Sequence, residues 1–224
     1  MSVAENLAQI KENIEQACQR CGRDPKEVSI VAVTKYVSVE RAQEALDAGL
    51  CNLGENRKEG LLEKYEAIGA EATWHFIGSL QSRKVKEVIN YVSMIHSLDR
   101  RSLAKEIDKR ASATVPCFVQ VNISGEDSKH GLPASEVEGF VEAMEAFPNV
   151  KIVGLMTMAP HIEDEERLRG VFRQLRAVRD RIRNKGYAHA PCEYLSMGMS
   201  NDYALAVEEG ATHIRLGSCL VGGQ

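Results

Sequence analysis

Cysteine is scarce, with six residues in 224, too few for a disulfide-built scaffold. Long apolar runs are missing. No stretch of about 18 apolar residues occurs, so no membrane-spanning helix is expected. The polar, charged start Met1–Glu15 lacks the apolar segment of a secretory signal. Basic blocks are also missing, and the formal net charge of -4 with a pI near 5.9 argues against a broad nucleic-acid footprint. The densest basic stretch, Arg167 to Lys185, carries Glu166 and Asp180 on a helical pattern and reads as a solvated helix face. There is no HExxH, no Walker loop and no strand followed by G-x-G-x-x-G. Cys18 and Cys21 form a C-x-x-C, but at the end of a helical pattern and without a second pair at zinc spacing. No metal is expected. Cys51, Cys117, Cys192 and Cys219 fall in or beside apolar runs, where cysteine packs as a small hydrophobe. These absences leave a cytoplasmic protein with neither membrane nor nucleic acid as partner.

What is present alternates. Eight strand candidates run Val28–Thr34, Leu50–Gly54, Thr73–Gly78, Met94–Leu98, Val115–Ile123, Lys151–Thr157, Glu193–Met197 and His213–Gly217. Several are nearly all Val, Ile, Leu and Cys, as parallel strands buried on both faces require. Amphipathic runs separate them. Apolar residues recur at 168, 171, 172, 175, 178 and 182 before Gly186, and at 39, 42, 45 and 46 before Gly49. Pro133 is expected to open a helix that Pro148 stops, and Asn201–Glu208 to form one closed by Gly210. Strict alternation forces parallel pairing with right-handed crossovers. Eight repeats without a composition break predict a single (β/α)8 barrel over residues 1–224. An extra helix, Ser2–Arg20, precedes it, and no second domain is expected.

Function in such barrels collects at the C-terminal ends of the strands. Lys35 directly follows the buried-type run of the first strand. A lysine held in an apolar mouth is more often a neutral nucleophile, ready to condense with an aldehyde; the alternative is a side chain that snorkels to water. The seventh strand runs into Met197-Gly198-Met199-Ser200, with Ser200 placed to cap the next helix, and the eighth into Leu216-Gly217-Ser218. Barrels often hold a phosphate between these two loops, although Gly and Ser also favour plain turns. Arg215 alternates with Ile214 and Leu216, so it points into the barrel if they face the helices. There it takes either an ion-pair partner or a ligand atom. Asn56, His75, Asn122, Met156 and Thr157 are further candidates for the mouth.

Several segments occur together in order and spacing: Ala32-Val33-Thr34-Lys35, Leu53-Gly54-Glu55-Asn56, Trp74-His75-Phe76-Ile77-Gly78-Ser79-Leu80-Gln81, Gln120-Val121-Asn122-Ile123, Gly154-Leu155-Met156-Thr157, Leu195-Ser196-Met197-Gly198-Met199-Ser200 and Arg215-Leu216-Gly217. Over nearly its whole length the chain resembles the pyridoxal-phosphate homeostasis proteins, whose barrel is that of the alanine-racemase-like pyridoxal 5′-phosphate (PLP) enzymes. The resemblance implies a Schiff base between PLP and Lys35. It implies a phosphate cradle of Met199, Ser200 and the Gly217–Ser218 backbone, with Arg215 facing the pyridine nitrogen and Asn56 and His75 in the pocket. The ending Cys219-Leu220-Val221-Gly222-Gly223-Gln224 departs from the Phe-Gly that usually follows the last strand.

An arginine opposite the pyridine nitrogen keeps that nitrogen unprotonated and the ring a weak electron sink. The chain stops soon after the eighth strand, so the added domain that supplies the racemases' second base is not expected. The implied activity is a PLP carrier, monomer or weak dimer, that passes the cofactor to PLP-requiring apo-enzymes and has no catalytic residues of its own. Two rivals stand beside it. One is a weak racemase with a base such as Tyr36 or His75; the other is a barrel enzyme acting on a phosphometabolite, with Lys35 as an aldolase-type amine.

Overall fold

The computed structural model describes residues 1–126 and 130–222. Eight parallel strands close on themselves: β1 (Ser29–Val33), β2 (Asn52–Glu55), β3 (Thr73–Phe76), β4 (Met94–Leu98), β5 (Val115–Asn122), β6 (Val150–Met156), β7 (Tyr194–Ser196) and β8 (His213–Leu216). Each hydrogen-bonds to its sequence neighbours, and β8 returns to β1 with Ser29 opposite His213 and Ala32 opposite Leu216. The alternation expected from the apolar runs is therefore the barrel itself.

Helices α2 (Val39–Asp47), α3 (Lys58–Ile68), α4 (Val85–Val88), α5 (Arg101–Arg110), α6 (Val137–Ala143), α7 (Glu165–Arg183) and α8 (Tyr203–Glu208) follow the first seven strands in turn. Among the described residues no helix follows β8. Its place in the outer ring is taken by α1 (Val3–Cys21), which packs between α8 and α2. The sequence of α1 explains why it can. Val3, Leu7, Ile10, Ile14 and Ala17 form one buried stripe, Ser2 and Glu5 make a reciprocal capping box, and Gly22 ends the helix at φ 70°. Asn6 Nδ2 donates to the Leu220 carbonyl at 2.9 Å, and Asn13 Nδ2 donates to the Tyr203 hydroxyl at 2.8 Å. The helix that precedes the barrel thus completes it.

Three local expectations are corrected. Pro133 does not open a helix. Leu132–Pro133 forms a two-residue strand beside Val121 and Asn122, and α6 starts at Val137. Gly131 makes this possible: its φ is 121°, and a Cβ there would lie 2.8 Å from the Asn122 nitrogen. Ser200 does not cap α8, which begins three residues later with Asp202 at the cap position. Cys51 is exposed, whereas Cys18, Cys117 and Cys192 are buried.

Most apolar side chains lie between strands and helices. Among the described residues a small second cluster, Phe118, Val153 and Met156 with Met94 against it, is separate from that core. Polar residues occupy much of the lumen. His75, His96, Gln120, Ser196, Thr157 and Arg215 are all buried. A lumen of this kind departs from the branched aliphatic layers usual for the fold.

Candidate functional site

Lys35 stands at the start of the turn after β1. The residue before it is fixed. The Thr34 amide donates to the Gly54 carbonyl at 3.0 Å, and the Thr34 hydroxyl donates to Glu55 Oε1 at 2.7 Å. Glu55 is in turn paired with Lys64 at 3.0 Å, and both side chains are buried. The Thr34 bonds tie the end of β1 to β2, and the buried ion pair ties β2 to α3. Lys35 itself is exposed rather than sunk among apolar groups. Its Nζ lies 5.0 Å from the centroid of the Tyr36 ring, and Tyr36 is 76% exposed.

A cavity of about 690 Å³ opens at this end of the barrel. Seven of the eight residues that the resemblance places around the cofactor line it: Lys35, Asn56, Met199, Ser200, Arg215, Gly217 and Ser218. His75 does not. It sits deeper in the lumen, 1% exposed, with Nδ1 at 2.9 Å from His96 Nε2 and Nε2 at 3.1 Å from Asn52 Oδ1. Both ring nitrogens are engaged, which removes His75 from the mouth and corrects its assignment to the pocket. Thr157 is also withdrawn, its hydroxyl donating to the Val121 carbonyl at 2.8 Å.

Close backbone approach shapes two walls. A Cβ on Gly78 would lie 2.4 Å from the Asn56 carbonyl oxygen, so the β3 end can lean on the β2 end only as glycine. Gly198, at φ 93°, directs the chain from β7 into the 199–202 turn. There Asp202 Oδ1 accepts from the Met199 amide at 2.6 Å. The Ser200 hydroxyl accepts a long bond, 3.4 Å, from the Cys219 amide, which links the loops after β7 and β8. The β8 loop folds over itself through the Gly217 carbonyl, which accepts from the amides of Leu220, Val221 and Gly222. Gly223 and Gln224 of the departing C-terminal ending lie outside the described residues.

Arg215 forms part of the cavity floor. As the alternation with Ile214 and Leu216 implies, those two are buried against the helices and the arginine enters the lumen. Its Nη1 donates to Ser196 Oγ at 2.6 Å and its Nη2 to the Thr157 carbonyl at 2.9 Å. Burial pushes its pKa down to about 10, with Asp202 acting in the opposite direction, so it remains a cation at neutral pH. Burial raises Asp202, while the bond from Met199 and the charge of Arg215 lower it.

The residues added by the structure include Met158, Pro160 and His161 from the loop after β6, together with Gln120 and Asp202. The rule that mouths are built from strand ends already covers residues 158–161. Asp202 falls inside the run expected to form a helix, Asn201–Glu208, so no local pattern marks it as a pocket residue.

The arrangement offers an accessible primary amine, a fixed guanidinium across the floor, and two Ser/Gly loops joined by a hydrogen bond. It fits an anionic aromatic aldehyde in size and in donor set. The described residues contain no cluster of three His, Cys, Asp or Glu suited to a metal. Among the described residues no helix is long and apolar enough to cross a membrane.

Comparison with known proteins places this geometry. The family described as alanine racemase, N-terminal domain, matches residues 6–224. A pyridoxal phosphate homeostasis protein of Aquifex aeolicus (strain VF5) is 41% identical over 226 residues, 99% of this chain and 98% of the relative. The protein of the same name from Escherichia coli (strain K12) is 33% identical, with 99% and 97% covered. Among solved structures, PipY of Synechococcus elongatus PCC7942 with PLP bound superposes at a TM-score of 0.86 and 29% identity, covering 98% of this chain and all of PipY. Alanine racemase of Corynebacterium glutamicum superposes at 0.70 with 15% identity; this chain covers 59% of its length, a likeness of fold alone.

Proposed function

The chain belongs to the pyridoxal phosphate homeostasis protein family, and from that membership we propose that it binds PLP reversibly at the C-terminal mouth of the barrel. In this reading Lys35 holds the cofactor as a Schiff base, and the protein releases it to PLP-requiring apo-enzymes without robust catalysis of its own. The observation that carries the proposal is the convergence of Lys35, Arg215 and the Ser200, Gly217 and Ser218 loops on one cavity. When bound, PLP supplies an aldehyde that condenses with a primary amine with loss of water. The chain's own residues do the rest. Ser200 and Ser218 offer hydroxyl donors to the phosphate from loops held together by the Ser200–Cys219 bond. Arg215 presents a fixed cation to the pyridine nitrogen and so disfavours its protonation.

The openness of Lys35 supports a carrier. An exposed amine can exchange its aldehyde with water or another amine without a lid having to move. A racemase needs a second base across from the lysine. His75 is buried with both nitrogens engaged, and the Tyr36 ring lies against Lys35 itself. We place the protein in the cytoplasm, a reading that rests on its six free cysteines.

The test is the visible spectrum of purified protein titrated with PLP, followed by borohydride reduction and tryptic mapping. Modification of Lys35 blocks cleavage there, so the label should appear on the peptide Glu27–Arg41, and Lys35→Ala should abolish it. A label on another lysine, or none, refutes the assignment. Sustained turnover of an amino-acid panel that vanishes in Lys35→Ala would establish the racemase instead.

A further inference from the structure

A continuous line of polar side chains crosses the lumen beneath the cavity, one from each of five strands. Arg215 Nη1 on β8 donates to Ser196 Oγ on β7 at 2.6 Å. Ser196 Oγ lies 2.9 Å from His96 Nδ1 on β4, and His96 Nε2 lies 2.9 Å from His75 Nδ1 on β3. His75 Nε2 lies 3.1 Å from Asn52 Oδ1 on β2. Ser196, His96 and His75 are each no more than 1% exposed. Polar groups in a barrel lumen cost stability unless every partner is in place, and here each bond depends on the next.

The donors can be assigned from the chain's ends. With the Asn52 amide oxygen directed at His75, that ring carries its proton on Nε2. Burial, with the charges nearby, keeps both histidines neutral. His75 Nδ1 is then an acceptor, so His96 carries its proton on Nε2 and accepts at Nδ1 from the Ser196 hydroxyl. The serine oxygen is left to accept from Arg215. Every donor points the same way, from Arg215 towards Asn52.

Among the described residues no carboxylate pairs directly with Arg215; its buried partners are a hydroxyl and a carbonyl. A carboxylate there would pin the guanidinium and also cancel its charge. A neutral line pins it and leaves the charge directed at the cavity. We propose that Ser196 and His96 are positioning residues for Arg215, fixing the orientation in which its guanidinium meets the ring nitrogen of a pyridine-type cofactor. This inference rests on the reading that the cavity holds PLP.

Two measurements test it. In the ligand-free protein, long-range 1H–15N correlation of the imidazoles should show both His75 and His96 protonated on Nε2 at pH 7. A His96 protonated on Nδ1 overturns the directed line, whatever the protein binds. In the PLP-loaded protein, Ser196→Ala should weaken PLP binding about ten-fold, the loss expected for one hydrogen bond to a charged group. It should also shift the visible absorption band, and Ser196→Thr should restore both. A purely structural role would lower stability without moving the band. If wild-type protein takes up no PLP, both readings fall. If it takes up PLP and folded Ser196→Ala has the same affinity and spectrum, the positioning role alone falls. Should Ser196→Ala not fold, the imidazole spectra of the wild type still decide.

Discussion

The Thr34 hydroxyl donates to Glu55 Oε1 at 2.7 Å, one residue before Lys35, while the same oxygen lies 3.0 Å from Lys64 Nζ. A buried ion pair therefore anchors the backbone that presents Lys35. Lys64→Met leaves Glu55 buried without its countercharge, which costs about 3–5 kcal/mol. Adding Glu55→Gln removes the stranded charge and should recover part of that loss. Urea unfolding of wild type and the two variants checks this; a single mutant as stable as wild type would mean the pair contributes little.

Gly78 and Gly170 make an opposed pair. A Cβ on Gly78 meets the Asn56 carbonyl at 2.4 Å, whereas one on Gly170, on the exposed face of α7, meets nothing within 4 Å. Gly78→Ala should destabilise by about 1–3 kcal/mol through overpacking and displace Asn56 at the cavity wall. Gly170→Ala should stabilise by about 0.5–1 kcal/mol through helix propensity. Thermal unfolding shifts of opposite sign are expected.

The strands were legible because burial on both faces leaves runs such as Val-Ser-Ile-Val-Ala-Val, and the mouth because functional residues follow those runs. What was not legible depended on distant closure. The place of α1 is set by the gap in the outer ring after β8, where no helix follows among the described residues, and no local pattern states this. His75 looks like a strand-end polar residue, and only the positions of His96 and Asn52 show that both its nitrogens are satisfied. Ser200 has the chemistry of a helix cap, but the Met199–Asp202 bond tightens the turn and delays α8.

Asn6 ties α1 to the loop after β8 through Leu220. That loop also carries Gly217 and Ser218 of the cavity. Asn6→Ala would leave the buried Leu220 carbonyl without this donor, at a cost of about 1–3 kcal/mol. It should also raise amide hydrogen exchange in residues 217–222 more than in the β1–β2 region. Uniform change across the barrel would contradict a local tether.

The three lumen histidines give the fold a distinct acid limit. Burial, helped by His213, pushes His75 down to about 3. Burial, helped by Arg215, pushes His213 down to about 4. His96 is held well below its ordinary value by burial first, then by His75, Arg215 and His213. In the unfolded chain each titrates near 6.5. Between those values the unfolded state binds protons that the native state refuses, so stability rises with pH. It is fully present above about 6.5 and is lost as pH falls towards 4 and 3. Each histidine contributes a slope of about 1.4 kcal/mol per pH unit, at most roughly 4 for the three together. Asp202, raised by burial, works against them above its unfolded value of 3.8. Urea midpoints should therefore be level between pH 8 and 7 and fall steadily from pH 6 to 5, before the surface carboxylates begin to titrate. A midpoint at pH 5 equal to that at pH 7 would show that the lumen accepts protons, and that the histidines are not held neutral by burial.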